Sequence, residues 1–377
     1  MPGKVRRIAF VGGGTAGHIG KLLAVMQAVQ KEAAVQGRAV ECTYVGLKAD
    51  LESPLITGSE LPFEKVAISS GKLNRFLTLN QAREFVHFAK GLFEARPLLR
   101  KLDLDCIFTN GGYVTVPLAI AAGQLGIPVV THETDVLPGL ANRIIARHAQ
   151  FICTTYPASY YTSFPAQKIH VTGQPVRPEF YTDVSAQPLE IEGRVIKGPI
   201  VTSLGGSQGA HRLNVLLSGT WEQLLERASI IHITGVRDFP DLQQKRLRLP
   251  EALQKKLFLL SFSESLAEIF WHSDIVISRA GGTLAELAAT RRPAILLPLS
   301  TAAQDHQKAN AQVFGDAGAA YVFNERVGTS EQLGTMVLEL LDSPEKRQRL
   351  VKNIGQFDHP HAAQDLARLL LSDSITA

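Results

Sequence analysis

The sequence is poor in cysteine, in long apolar runs and in charge of one sign. Its three cysteines, Cys42, Cys106 and Cys153, lie far apart in apolar runs, without a C-x-x-C pair or a Cys/His cluster. That pattern argues against a disulfide framework or a cysteine-ligated metal centre and predicts buried thiols in a reducing compartment. No stretch approaches the roughly 18 consecutive apolar residues of a membrane-spanning helix. The first apolar run, residues 8–11, meets glycines at once; it is too short for a signal-peptide core and reads as a first strand. The net charge of +4 over 377 residues favours anionic ligands or a membrane surface but is too weak to argue nucleic acid. Low-complexity segments are missing. The expected location is cytoplasmic, with any membrane contact peripheral, on the inner face.

What is present is an alternating pattern. Hydrophobic residues make up 45% and charged residues 20%, ordinary for a globular chain, and the length suggests two or three domains at about 100–200 residues each. Short β-branched runs at 8–11, 40–45, 63–67, 106–108, 129–131, 151–154 and 169–172 alternate with helical patterns such as 22–34 and 81–99. Strand–helix alternation predicts βαβ units and a parallel sheet. After a polar stretch holding Pro178, Pro188, Gly193 and Gly198, the pattern restarts with runs at 200–204, 230–233, 257–260, 275–278, 294–297 and 320–323. Two doubly wound α/β domains are expected, with a boundary near 175–178.

Each half opens with a strand and a glycine turn: Gly13-Gly14-Thr15-Ala16-Gly17-His18, then Gly205-Gly206-Ser207-Gln208-Gly209-Ala210-His211. Outside the carboxyl ends of parallel strands, such turns let backbone approach a phosphate, and the next helix points free N–H groups at it. Gly12, Gly14 and Gly17 also satisfy G-x-G-x-x-G. The dinucleotide reading, however, needs an acidic residue at the end of the second strand, and Glu41 lies inside that strand while Asp50 lies beyond it. A ligand-free tight turn is the plain alternative. His18, at the mouth of the first helix, suits a base or an anion donor; otherwise it only caps or packs there. Asn214 reads equally as a ligand contact or a solvated helix residue.

A third strand–glycine–helix turn runs from Ser278-Arg279 to Glu286. Thr283 reads as an N-cap with Glu286 at capping-box spacing, or Glu286 accepts from the hydroxyls of a ribose. The polar group Gln304-Asp305-His306-Gln307 and Asn310, after the 294–297 run, is placed to read sugar hydroxyls or to form a polar first helical turn.

In order from about residue 7 to 325, these segments resemble a family of GT-B glycosyltransferases, the peptidoglycan N-acetylglucosaminyltransferases. Residues 13–18 are similar to its G-G-T-G-G-H, Gly111-Gly112-Tyr113-Val114 to G-G-Y-V, and 126–133 to G-I-P-V followed by H-E. Gly139-Leu140-Ala141-Asn142 resembles the family's next segment, 173–177 resembles G-N-P-V-R, and 205–209 with Asn214 resembles G-G-S-Q-G with its downstream Asn. The resemblance implies two Rossmann-like domains facing a central cleft. They would span 1–176, joined by a C-terminal helix within 358–377, and 177–357. It implies inverting transfer of N-acetylglucosamine from UDP-N-acetylglucosamine to an undecaprenyl-diphosphate-linked N-acetylmuramyl-pentapeptide in peptidoglycan synthesis, with no cofactor or metal. By position, Ser207, Gln208 and Gly209 would hold the donor diphosphate with Arg177 nearby, and Glu286 the ribose. His306, Gln307 and Asn310 would face the sugar hydroxyls. Thr15, His18, Tyr113, His132 and Glu133 would line the acceptor side, with Gly17, Asn142, Asn214, Gly282 and Thr283 as further substrate-binding candidates. The chain departs from the pattern at Ala16, Lys21, His132-Glu133-Thr134-Asp135 (for H-E-Q-N) and in a 281–286 stretch one residue shorter.

Single displacement needs a base for the hydroxyl proton and stabilisation of the departing diphosphate. His18 is the expected base, with Glu133 or Asp135 as rivals. The one D-x-D, Asp103-Leu104-Asp105, reads as a polar strand entry. Apolar Phe76, Leu77, Leu79, Phe85, Phe88, Leu92 and Phe93 interleave with Arg75, Arg83, Lys90, Arg96 and Arg100, the composition of an interfacial patch or of a core-facing helix with a basic solvent face. The rival functions are a GT-B transferase with another acceptor, a UDP-GlcNAc 2-epimerase, whose pattern of catalytic acids is not apparent, and an NAD(P)-binding oxidoreductase.

Overall fold

The computed structural model describes residues 5–13, 16–71, 79–206, 209–299 and 305–375. The chain divides into two compact units, Met1–Arg177 with His359–Ala377, and Pro178–Asp358. In the first, β1 (Arg6–Val11), β2 (Val40–Gly46), β3 (Glu64–Ala67), β4 (Cys106–Thr109), β5 (Val129–Glu133), β6 (Phe151–Thr154) and β7 (Ile169–Val171) form one seven-stranded sheet, ordered β3-β2-β1-β4-β5-β6-β7. Every pairing is parallel. The strand order reverses beside β1, where Val11 sits opposite Val45 on one side and Thr109 on the other. Parallel strands covered by helices on both faces read as continuous apolar runs, which is why the expected strands form with ends within two residues.

The core of this unit gathers Ile8, Phe10, Leu22, Met26, Phe108 and Val130. The helix Ala362–Leu371 completes it from the far end of the chain. Its buried Ala362, Leu366, Ala367, Leu370 and Leu371 form one helical stripe, and the three leucines join the same core. Each fully buried leucine contributes roughly 1.5–3 kcal/mol. Arg6 donates from Nε to the Leu370 carbonyl at 3.3 Å and from Nη2 to that of Ser372 at 3.2 Å, and Arg38 Nη1 donates to the Leu371 carbonyl at 2.7 Å.

In the second unit a two-residue hairpin, β8 (Glu190–Ile191) with β9 (Arg194–Val195), occupies the polar stretch before the restart. Glu192 and Gly193, at φ 54° and 71°, make its turn, the left-handed pair a tight hairpin requires. The main sheet then comprises β10 (Ile200–Leu204), β11 (Ser229–Ile233), β12 (Leu257–Leu260), β13 (Ile275–Ser278), β14 (Ala294–Leu296) and β15 (Tyr321–Val322), in the order β12-β11-β10-β13-β14-β15. It is again all-parallel, around a core including Leu213, Trp221, Ile230 and Ile277. All three cysteines are free and buried. Burial pushes the thiols up to about 11 for Cys42 and about 12 for Cys106 and Cys153.

Candidate active site

Strand order reverses in each sheet between the first strand and the fourth, and open α/β sheets bind ligands at the carboxyl ends there. In the first unit, this edge is the end of β1, β4 and β5. Helix Ala16–Val35 starts beside it with Gly17 exposed and His18 half-buried. Asn110, directly after β4, donates from Nδ2 to the His18 carbonyl at 2.7 Å and so fixes the helix start. Burial, with Lys21 adding to it, lowers the His18 imidazole to about 4, while the Asp135 carboxylate pulls the other way. His18 is therefore neutral near pH 7, the form that accepts a proton.

β5 ends on two buried polar residues, His132 and Glu133. His132 Nε2 donates to the Gly173 carbonyl at 2.8 Å, since a carbonyl only accepts. Burial lowers this ring to about 4, so it is a neutral strut between β5 and the loop after β7. Glu133 accepts from the Asp135 N–H at 2.9 Å on Oε1 and from Asn142 Nδ2 at 2.7 Å on Oε2. Burial first, then the Asp135 charge, pushes its carboxyl up to about 7. Asn142 Oδ1 is buried and has no hydrogen-bond partner. It lies against Gly111, whose φ is 84° and where a Cβ would come within 1.9 Å of that oxygen, so only glycine fits there. Tyr113 is half-buried, its carbonyl accepts from Ser70 Oγ at 3.0 Å, and burial with the Asp50 and Glu84 charges raises its phenol. The structure thus gathers His18, His132, Glu133, Asp135 and Asn142 at one sheet edge.

In the second unit, β10 runs into Gly205-Gly206 and, at Gly209, into helix His211–Ser218. Gly209 has φ 76°, and a Cβ there would fall 2.6 Å from the Thr234 carbonyl, so the turn is wedged against the loop after β11. Asn214 is fully committed to that junction. Its Nδ2 donates to the Thr234 carbonyl at 2.8 Å and to Asp238 Oδ2 at 2.9 Å, and its Oδ1 accepts from His232 Nε2 at 3.0 Å. Burial lowers the His232 ring to about 3. Asp238 also binds His211 Nδ1 at 3.0 Å and Arg237 Nε at 2.9 Å; although its partial burial opposes ionisation, these donors hold its carboxyl below the ordinary value.

Beyond β13, Gly282 rather than Thr283 caps helix Thr283–Thr290, without a side-chain cap, so the capping-box expectation for Thr283 and Glu286 is not met. Glu286 is half-buried, as are His306 and Arg177. Gln307 Oε1 accepts from the Leu299 N–H at 3.0 Å, and buried Asn310 donates from Nδ2 to the Ala280 carbonyl at 3.1 Å. These two residues tie helix Asp305–Asp316 to the loops after β14 and β13. Thr15, Ser207, Gln208 and Gln304 lie outside the described residues. Sequence reasoning missed Asp238 and His232 as partners of Asn214, and the buried ion pair between Arg279 and Glu325. Their separations of 24, 18 and 46 residues follow no local periodicity. Among the described residues no group of three or more His, Cys, Asp or Glu side chains is placed to hold a metal.

The N-terminal domain model of glycosyltransferase family 28 matches residues 8–154, and the C-terminal domain model of the same family matches 200–366. The chain belongs to glycosyltransferase family 28. Its two parallel-sheet units are the GT-B fold, and the oxidoreductase reading of Gly12, Gly14 and Gly17 gives way to this one. Two relatives of this family 28 chain carry the name UDP-N-acetylglucosamine--N-acetylmuramyl-(pentapeptide) pyrophosphoryl-undecaprenol N-acetylglucosamine transferase. That of Gloeothece citriformis is 34% identical over 376 residues, 98% of this chain and 97% of its own. That of Lachnoclostridium phytofermentans is 33% identical over 359 residues, 94% and 96%. The crystal structure of Acinetobacter baumannii MurG superposes with a TM-score of 0.72 at 26% identity, covering 97% of this chain and 99% of that one.

Proposed function

We propose that this family 28 enzyme transfers N-acetylglucosamine from UDP-N-acetylglucosamine to the muramyl-pentapeptide carried on undecaprenyl diphosphate, making the disaccharide precursor of peptidoglycan. The family match across both units, with relatives named for this transfer along nearly their whole length, carries the reading. The acceptor hydroxyl forms a bond to the anomeric carbon as the bond from that carbon to the diphosphate oxygen breaks. UDP leaves with the electron pair and the hydroxyl proton passes to a base.

His18 is the base in this proposal. It is neutral before the reaction, and the imidazolium formed faces the Asp135 carboxylate, the charge that favours its protonated form. Glu133 and Asp135, the rival bases, then shape the acceptor edge together with Thr15, Gly17, Tyr113, His132 and Asn142. Ser207, Gln208 and Gly209, which precede helix His211–Ser218 in the chain, bind the diphosphate through backbone N–H groups and the helix dipole, with Arg177 contributing charge. Glu286 accepts from the ribose hydroxyls, Gly282 and Thr283 border it, and His306, Gln307 and Asn310 read the sugar. Asn214 acts by holding the diphosphate turn against the loop after β11. A transfer assay with UDP-GlcNAc and an analogue of the lipid acceptor tests the proposal: labelled GlcNAc should appear on the lipid. Transfer only to other acceptors would favour the second reading, a GT-B transferase with a different acceptor, which the His132-Glu133-Thr134-Asp135 departure supports.

The lipid acceptor requires an approach to the cytoplasmic membrane face. Helix Leu79–Leu102 supports one: Val86 and Phe93 are 63% and 82% exposed, with Lys90, Arg96 and Arg100 also exposed. Such apolar and basic neighbours suit an anionic lipid surface. Its Gly91, Ala95 and Leu99 face inward. Residues 72–78, with Arg75, Phe76 and Leu77 of the expected patch, lie outside the described residues. No helix among the described residues is long and apolar enough to cross a membrane.

A further inference from the structure

Among the described residues, the second unit holds one ion pair whose two side chains are both buried, and its location is informative. Arg279 follows β13 directly. Its Nη1 donates to Glu325 Oε2 at 2.5 Å and to the Leu297 carbonyl, just past β14, at 2.7 Å. The two side chains are 9% and 2% exposed, whereas the other ion pairs among the described residues have at least one solvent-facing member. Burying both charges costs several kcal/mol per ion before any attraction is counted, and apolar residues of similar volume often serve stability as well. The pair therefore calls for a reason other than stability.

The backbone of Glu325 supplies it. Its carbonyl accepts from Arg212 Nε at 3.1 Å, and Arg212 Nη2 donates to the Gly328 carbonyl at 3.0 Å. Arg212 is the second residue of helix His211–Ser218, the helix that follows the glycine turn. Glu325 thus joins three loops through one residue: the start of that helix through its main chain, the Arg279–Gly282 turn through its carboxylate, and the loop after β14 through Arg279. Asn310 and Gln307 fasten helix Asp305–Asp316 to the last two of these loops.

We propose that Glu325 is a positioning residue for the nucleotide-sugar donor. It sets the spacing between the start of helix His211–Ser218 and the helices that carry Glu286 and the sugar-reading residues. The inference rests on the donor assignment above and adds a residue that acts through Arg279 and Arg212. Misplacement by about 1 Å can cost on the order of a hundredfold, and because every segment that Glu325 joins belongs to the second unit, the effect falls on the donor rather than on the proposed base.

Donor affinity and turnover should be measured for Glu325→Gln and for the apolar pair Arg279→Met/Glu325→Leu. In Glu325→Gln the KM for UDP-GlcNAc and the Kd for UDP-GlcNAc by calorimetry should rise on the order of ten- to a hundredfold, with kcat changed far less and the acceptor KM unchanged. In the apolar pair the melting temperature should recover while donor affinity stays weak. Equal donor affinity in either variant and in the native chain overturns the inference, even if the melting temperature falls. Should neither variant accumulate folded, Arg212→Met, an exposed change that leaves the buried pair intact, decides: a raised donor KM supports the role and an unchanged one overturns it. A native chain that binds neither UDP nor UDP-GlcNAc would instead sink the donor assignment itself.

Discussion

The two units share a sheet order beside their first strand, yet their carboxyl edges are built from opposite materials. In the first unit the edge carries groups displaced from their ordinary ionisation: His18 and His132 pushed down to about 4 and Glu133 pushed up to about 7. Of these, Glu133 is moved into the neutral range, where a group can exchange a proton, while the two histidines stay neutral there and His18 is left able to accept one. In the second unit, His232 is pushed down further, to about 3, and Asp238 lies below its ordinary value, so neither changes state near neutrality; there Asn214 with Asp238 and His232, and Arg279 with Glu325, are held by mutual bonding. In the proposed reaction the first edge supplies the base and the second the seat for the donor.

The largest test of that contrast is His18→Ala. Turnover should fall about 10²–10⁴-fold with the UDP-GlcNAc KM little changed, and a loss of only a few-fold removes His18 as the base. The pH profile sharpens the point. With His18 as base, kcat/KM loses activity on the acid side near pH 4. An acid limb near pH 7 that disappears in Glu133→Gln would hand the role to the carboxylate.

Next in size is a stability effect at Glu133. Its raised value means that the folded chain favours the protonated form. That stabilisation is complete below the ordinary carboxyl value of 4.5 and is lost as pH rises through about 7, amounting to roughly 3 kcal/mol. The two histidines work in the opposite sense. Their lowered values give stability that is present above 6.5 and lost as pH falls toward 4. Glu133→Gln should therefore flatten the upper part of the melting curve against pH, from 5 to 8, and leave the acid loss in place. Asn142 can accommodate it by turning its amide, which gives the unpaired Oδ1 a donor. An unchanged curve would show that Glu133 is ionised in both states.

In the second unit, Asn214→Ala leaves His232, the Thr234 carbonyl and Asp238 short of partners. Stability should fall by about 3 kcal/mol, since each stranded buried group costs about 1–3 kcal/mol, without adding a pH dependence. Urea unfolding at pH 6 and 8 checks both parts; a pH-dependent loss would break the contrast between the edges. The smallest change is Phe93→Glu. Because Phe93 is 82% exposed, stability should stay within about 0.5 kcal/mol while co-sedimentation with anionic liposomes weakens. Undiminished co-sedimentation would remove this helix face from the membrane proposal.

The strands are legible in the sequence because doubly covered parallel strands are uniformly apolar; β10, β12 and β13 begin and end where the runs do. β5 reads short because His132 and Glu133 look like loop residues until the Gly173 carbonyl and Asn142 are known to receive them. The β8–β9 hairpin hides in a stretch whose prolines and glycines outweigh its two-residue strands. At the candidate site, the glycine turns and His18 are visible as local signals. The partners of Asn214 and Arg279 are not, because tertiary contact alone brings them together. Thr283 fails as a cap because it is already the first helical residue, with Gly282 as the cap.

The helix Ala362–Leu371 has a consequence for how the chain is made. Its leucines finish a core begun by Ile8 and Phe10. On a ribosome, all of Pro178–Asp358 is therefore synthesised before the opening unit can close. The later-coded unit has the chance to fold first, while the earlier one waits with an apolar flank open. A nascent chain arrested before residue 362 should accordingly bind hydrophobic-surface chaperones through its beginning rather than its end.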